Sequence, residues 1–245
     1  MNHAKRLVIM IVMGLVIVSA VIAEEYKVVV PQLSPVTIKV YSDIAQAVIE
    51  ATGNTATIQV LPFARCIYMM ETKAADIESM IVKIPDPAKA RQLKYDYSTT
   101  EVGKIVFVLY YNKNKPIKVE DLKSGNAKGY KIETDTAHMD HFSFPTMGST
   151  SFEASIKKVD SGMIDGFVFA QPSVDAALKR LGLKNVARAY FDSFQIKFII
   201  QKGQNGGPID KMLSDGLAKI KANGTYDTIM GAYNEGAANY IEWQP

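Results

Sequence analysis

One feature constrains this chain more than any other: strand-like and helix-like segments alternate along it, and the alternation stops and restarts near the middle. Tyr26-Lys27-Val28-Val29-Val30 is β-rich and ends at Pro31. A helical pattern over Tyr41–Ala51 follows and stops at Gly53, then a strand over Thr57–Leu61, a helix over Ala64–Lys73 and a strand over Ile77–Val82. Strands separated by helices predict a largely parallel sheet with helices on its faces. The run Lys104–Tyr111 reads as a long buried strand, broken by Asn112-Lys113-Asn114-Lys115-Pro116.

The series then begins again. A short helix is expected over Val119–Leu122, strands over Tyr130–Thr134 and Gly166–Phe169, and helices over Phe152–Val159 and Pro172–Leu181. Lys73-Ala74-Ala75-Asp76 before one strand and Ser161-Gly162-Met163-Ile164-Asp165 before another share a helix end, a tight turn and an Asp, which is ordinary helix-to-strand chemistry and fits two similar lobes. A strand over Gln195–Gln201, the breaker Gly203–Pro208, a helix over Ile209–Ala222 and a last helix over Tyr226–Tyr233 close the chain. The expected fold is α/β, with two lobes, each a mainly parallel sheet flanked by helices, joined by two crossing strands near Tyr110–Lys113 and Ile200–Gly203. Residues 24–110 and 204–245 make lobe 1 and residues 111–203 make lobe 2.

The first 23 residues read as an export signal. Lys5 and Arg6 precede an apolar run over Leu7–Ile17, and the small-residue stretch Val18–Ala23 offers a cleavage point after Ala23. The run is short for a spanning helix, and no Cys follows it to take a lipid. Removing it takes two basic residues and no acidic one, so the net charge falls from +3 to +1. Such a balance gives no reason to expect nucleic acid or an anionic membrane as partner. Cys66 is the only cysteine, so no internal disulfide forms even in an oxidising compartment, and its apolar neighbours read as burial rather than reactivity.

Four segments carry a family resemblance: Leu61-Pro62-Phe63-Ala64-Arg65, Lys94-Tyr95-Asp96-Tyr97-Ser98 (like a "DFS" segment), Ser161–Asp165 (like an "SGxxD" turn) and Ala222-Asn223-Gly224-Thr225-Tyr226 (like "xxGTY"). In order and spacing the mature chain resembles the polar amino-acid class of periplasmic solute-binding proteins, family 3, which have the type II periplasmic binding protein fold. The resemblance implies a periplasmic, monomeric receptor without cofactor. Its two lobes would close over a small-molecule ligand and deliver it to a membrane ABC permease.

The resemblance also points to site residues. Counting back from Ser98 puts Arg91 where the family's arginine forks onto the ligand carboxylate, although the loop Ile84–Arg91 is about three residues longer than the family's. Thr134 and Thr136 stand where hydroxyl and N–H groups grip the same carboxylate. An N-cap is the other reading of Thr136, and Asp135 between them would repel an anion. Phe63 and Arg65 fall at a strand-to-helix edge with Tyr41 across from them, and Lys83 ends a strand. Where the family's strand ends in an Asp that pairs with an α-ammonium, this chain has Ala170, with neutral Gln171 beside it. Ordinary α-amino acids are therefore expected to be poor ligands.

His138 and His141 share a helical face, but two imidazoles do not make a metal site, and His138 reads as a cleft residue. The resemblance implies binding without catalysis. The alternatives are a periplasmic dehydratase-like enzyme, using His138 or Glu78 as acid or base, and a soluble partner that presents its ligand to a membrane sensor.

Overall fold

The computed structural model describes residues 23–125, 127, 129–237 and 240–241. The expected export segment lies, apart from Ala23, outside the described residues. No helix among those described is long and apolar enough to cross a membrane.

The first half runs β1 (Glu25–Pro31), α1 (Pro35–Glu50), β2 (Thr55–Leu61), α2 (Phe63–Glu71), β3 (Ile77–Val82), α3 (Pro87–Gln92) and β4 (Tyr95–Tyr97). It continues through β5 (Gly103–Asn112), α4 (Val119–Lys123), β6 (Ile132–Asp135), a 3-10 turn (Thr136–His141), β7 (Met147–Ser149), α5 (Phe152–Ser161), β8 (Gly166–Ala170) and α6 (Gln171–Leu181). β9 (Val186–Gln201), α7 (Pro208–Ala222) and α8 (Thr225–Ala237) complete it.

The strands lie in the order β2-β1-β3-β9-β5-β8-β6-β7, with β4 also on β9. β1 pairs in parallel with β2 and β3, and β6 in parallel with β7 and β8. Between these two parallel halves runs the antiparallel ribbon of β5 and β9. Tyr110 already pairs with Phe167 of β8 and Ile200 with Ile77 of β3, so the expected crossing points lie inside the half-sheets. The passage itself is Gly103–Val106 against Ser193–Ile196. The first half of β9 gave no strand signal because it is half-buried rather than buried on both sides, and because Phe191 is an extra residue: Phe107 faces Asp192 while the next residue, Val108, faces Tyr190.

Local chemistry sets the boundaries. α1 begins six residues before Tyr41, because Ser34 caps it by accepting from the Thr37 N–H and Pro35 occupies the first turn. α1 and α7 approach so closely at Gly216 that a Cβ there would lie 2.0 Å from the Val48 carbonyl oxygen. One core packs α1, α7 and α8 on lobe 1 and continues through the ribbon into lobe 2; a smaller one, with Val29, Cys66, Met70, Tyr95, Tyr97 and Ile199, lies beneath α2. β3 carries an extra residue between Glu78 and Ile81, where Met80 sits at φ +54°.

Candidate functional site

The lobes meet over a narrow cleft of about 60 Å³, far below the ~150 Å³ of a cavity that holds a benzene ring. Lobe 1 contributes Tyr41 from α1, Phe63 from the first turn of α2, and Met80–Val82 from β3. His138, Phe169 and Ala170 face them from lobe 2, the ribbon adds Ile105 and Phe107, and Tyr233 of α8 closes one side. The bulge at Met80 places three consecutive β3 residues along this wall.

Phe107 is fully buried at the centre, with ring centroids 4.7 Å from Phe194, 5.6 Å from Phe169 and 5.7 Å from His138. His138 also stands 6.5 Å from Phe63 and 5.3 Å from Phe169, so it touches both lobes. Its Nδ1 lies 3.3 Å from Asp135 Oδ1, which also accepts from the Ala137 N–H as the cap of the 3-10 turn. Burial works against the Asp135 carboxylate, yet these bonds and the His138 charge hold it below its ordinary value. Asp135 thus orients His138 rather than facing a solute.

His141 joins the lobes directly, its Nε2–H donating to the Val82 carbonyl at 3.0 Å. Its Nδ1 is buried without a hydrogen-bond partner. Burial, and then the neighbouring His138, pushes its pKa down to about 4. Lys89 adds a looser cross-lobe tie, donating to the Asp140 carbonyl at 3.2 Å. The Tyr41 and Tyr233 hydroxyls lie 3.2 Å apart, and burial raises both phenols above their ordinary value.

Of the residues the sequence pointed to, Tyr41, Phe63 and His138 line this cleft. Arg91 and Lys83 line a separate hollow on lobe 1. Thr134 is buried, with its hydroxyl donating to Val168 O at 2.8 Å, and the exposed Thr136 donates to Ser149 O at 3.2 Å. Arg65 is exposed, its guanidinium 4.9 Å from the centre of the Tyr68 ring. Gln171 is buried one residue beyond the cleft wall, its Oε1 accepting from Arg188 at 2.9 Å and from the Ile241 N–H at 3.1 Å.

Glu78 lies beneath α2, away from the cleft lining. Neither carboxyl oxygen has a hydrogen-bond partner among the described residues, and burial raises its pKa to about 8. Burial and the Glu78 charge push the Cys66 thiol up to about 12, which keeps it unreactive. Among the described residues, no three His, Cys, Asp or Glu side chains converge as metal ligands. Sequence reasoning passed over Phe107, Met80, Phe169 and Tyr233, since apolar residues inside strands and helices carry no signal that separates a cleft wall from a core.

No protein-family profile and no curated protein matches the sequence. Solved structures do match the fold. A histidine kinase sensor domain with similarity to periplasmic binding proteins superposes with a TM-score of 0.67 at 14% identity, over 88% of this chain and 98% of its own. The ancestral amino acid-binding protein AncCDT-1, a precursor of cyclohexadienyl dehydratase, gives 0.62 at 17% identity, over 85% and 94%. The substrate-binding protein of an amino acid ABC transporter gives 0.61 at 15% identity, over 86% and 99%. The architecture is therefore that of the type II periplasmic binding protein fold: two α/β lobes about a cleft, joined by a strand ribbon.

Proposed function

We propose that the protein is a periplasmic, monomeric solute receptor of the family 3 class, exported by cleavage after Ala23, and that its cleft takes a small uncharged solute with a flat apolar face. The observation that carries this reading is the lining: among the described residues it holds no carboxylate, ammonium or guanidinium group. A zwitterionic amino acid enclosed there would leave two charges without counter-ions, at a cost of several kcal/mol. Phe63, Phe107, Phe169, Tyr41 and Tyr233 would instead sandwich a ring. With His138 Nδ1 engaged by Asp135, Nε2 is left to hydrogen-bond the solute.

Because the closed cleft is smaller than a ring, the lobes would part about Gly103–Val106 and Ser193–Ile196 to admit one, and closure would present the surface that a membrane ABC permease reads. The likeness to a kinase sensor domain favours a second reading, in which the receptor presents its solute to a membrane sensor; permease or kinase genes beside this one separate the two. Native mass spectrometry of protein isolated from the periplasm without refolding tests the ligand class. The expected adduct is an uncharged ring compound, and a retained α-amino acid overturns the reading.

A further inference from the structure

A second hollow, of about 320 Å³, opens on lobe 1 between α3, the turn after β4 and β9. Its charged lining is Lys83, Arg91, Lys197, Lys202 and Asp96. The one carboxylate is already engaged: Asp96 pairs with Lys202 at 2.9 Å and accepts from the Gly203 N–H at 2.7 Å. Three cations are left without a carboxylate partner among the described residues. The Lys83 and Arg91 side chains make no hydrogen bond or ion pair with those residues, and the Lys197 ammonium donates to the carbonyls of Ser98 at 3.0 Å and Thr99 at 2.8 Å.

Lys197 distinguishes this hollow from an ordinary basic surface. The residue is 8% exposed, and its ammonium is held at the wall of the hollow by two carbonyls. Lys83 stands near enough to act on it as a like charge, and burial together with that charge lowers the Lys197 pKa in spite of the more weakly felt carboxylates of Glu101 and Asp210. Two ammonium groups in one hollow, one of them buried, repel each other in a medium that screens them poorly. A single anion between them removes that repulsion, and Arg91 at the rim offers a planar pair of donors to an oxyanion.

We propose that this hollow is a binding site for a small multivalent oxyanion of the phosphate type, separate from the solute cleft. The site ties α3 and the β4–β5 turn to β9 next to the passage between the lobes, so an anion there fastens the lobe 1 end of the ribbon. Cleft and hollow share no lining residue.

Inorganic phosphate is the probe. At constant ionic strength held with sodium chloride, saturating phosphate should raise the melting temperature of the full chain by about 3 °C. Lys83→Met and Lys197→Met should each weaken phosphate at least tenfold and abolish the shift. In phosphate-free buffer, Lys83→Met should melt no lower than wild type, because the repulsion is gone; with phosphate the order reverses. Lys83 is half-buried at the rim, so its variant keeps the test open if Lys197→Met fails to fold. A wild-type response no larger than that to chloride overturns the site, and so does a response that persists undiminished in Lys83→Met.

Discussion

The inter-lobe cleft and the hollow beside α3 differ in kind. The cleft wall is aromatic, uncharged and almost closed, whereas the hollow beside α3 is open and lined by four cations against one carboxylate. The buried Glu78 lies off the cleft too, beneath α2 with Cys66, Tyr95 and Tyr97 near enough to feel its charge. The described cleft wall thus carries no carboxylate, ammonium or guanidinium group, and its polar groups are His138, Thr37, Ser173 and the hydroxyls of Tyr41 and Tyr233. On the proposed readings the cleft would select by shape and hydrogen bonds, and the α3 hollow by charge.

The contrast is sharpest in stability. Phe107→Ala should cost about 3–5 kcal/mol in urea unfolding, because a fully buried ring at the meeting point of Phe169, Phe194 and His138 leaves a cavity. Arg91→Ala on the exposed α3 should change stability by less than about 0.5 kcal/mol in phosphate-free buffer. Equal costs would mean that the cleft wall is no better packed than the surface.

Glu78 gives the next effect. Its pKa rises from 4.5 to about 8 on folding, so the folded state keeps a proton the unfolded chain has lost. The associated stability is complete below pH 4.5 and declines as the pH rises to about 8, by roughly 3 kcal/mol at pH 7. Glu78→Gln should remove that decline. If wild type and variant show parallel pH profiles between 5 and 8, the carboxyl is not held neutral in the fold.

His141 acts in the opposite sense. Folding lowers its pKa from 6.5 to about 4, so its contribution is intact above pH 6.5 and is lost as the pH falls toward 4, by at most about 3 kcal/mol. His138, the Lys89–Asp140 pair, and Asp86, Lys123 and Asp192, which line one hollow with it, are the charged or titratable groups around it among the described residues. Because burial between the lobes and the nearby His138 disfavour the charged ring, while the Val82 bond is retained on protonation, acidification from pH 7 to 4.5 should open the protein, read as a larger radius of gyration in small-angle scattering. His141→Gln should open less on acidification, and an unchanged response would place the pH sensor elsewhere.

Much of the architecture could be read before any coordinates. β3 spans the expected Ile77–Val82, and Pro208 opens α7 as its position suggests. Short edge strands such as β7, and the half-buried start of β9, carry too little periodicity to announce themselves. The site was harder to read. Tyr41, Phe63 and His138 share the cleft, but Arg91 does not, since Pro85 and Pro87 with the Asp86 cap begin a new short helix that carries the guanidinium to the outer side of lobe 1. Ala170, where the resemblance expects an Asp, lies on the cleft wall.

The most direct test is a calorimetric titration with matched pairs that share a ring and differ in the zwitterionic head, 4-methylphenol against L-tyrosine and indole against L-tryptophan. An uncharged cleft predicts that the ring compound binds more tightly than its amino acid in each pair, and that His138→Ala weakens it. Tighter binding of either amino acid, or no binding of either ring, contradicts it.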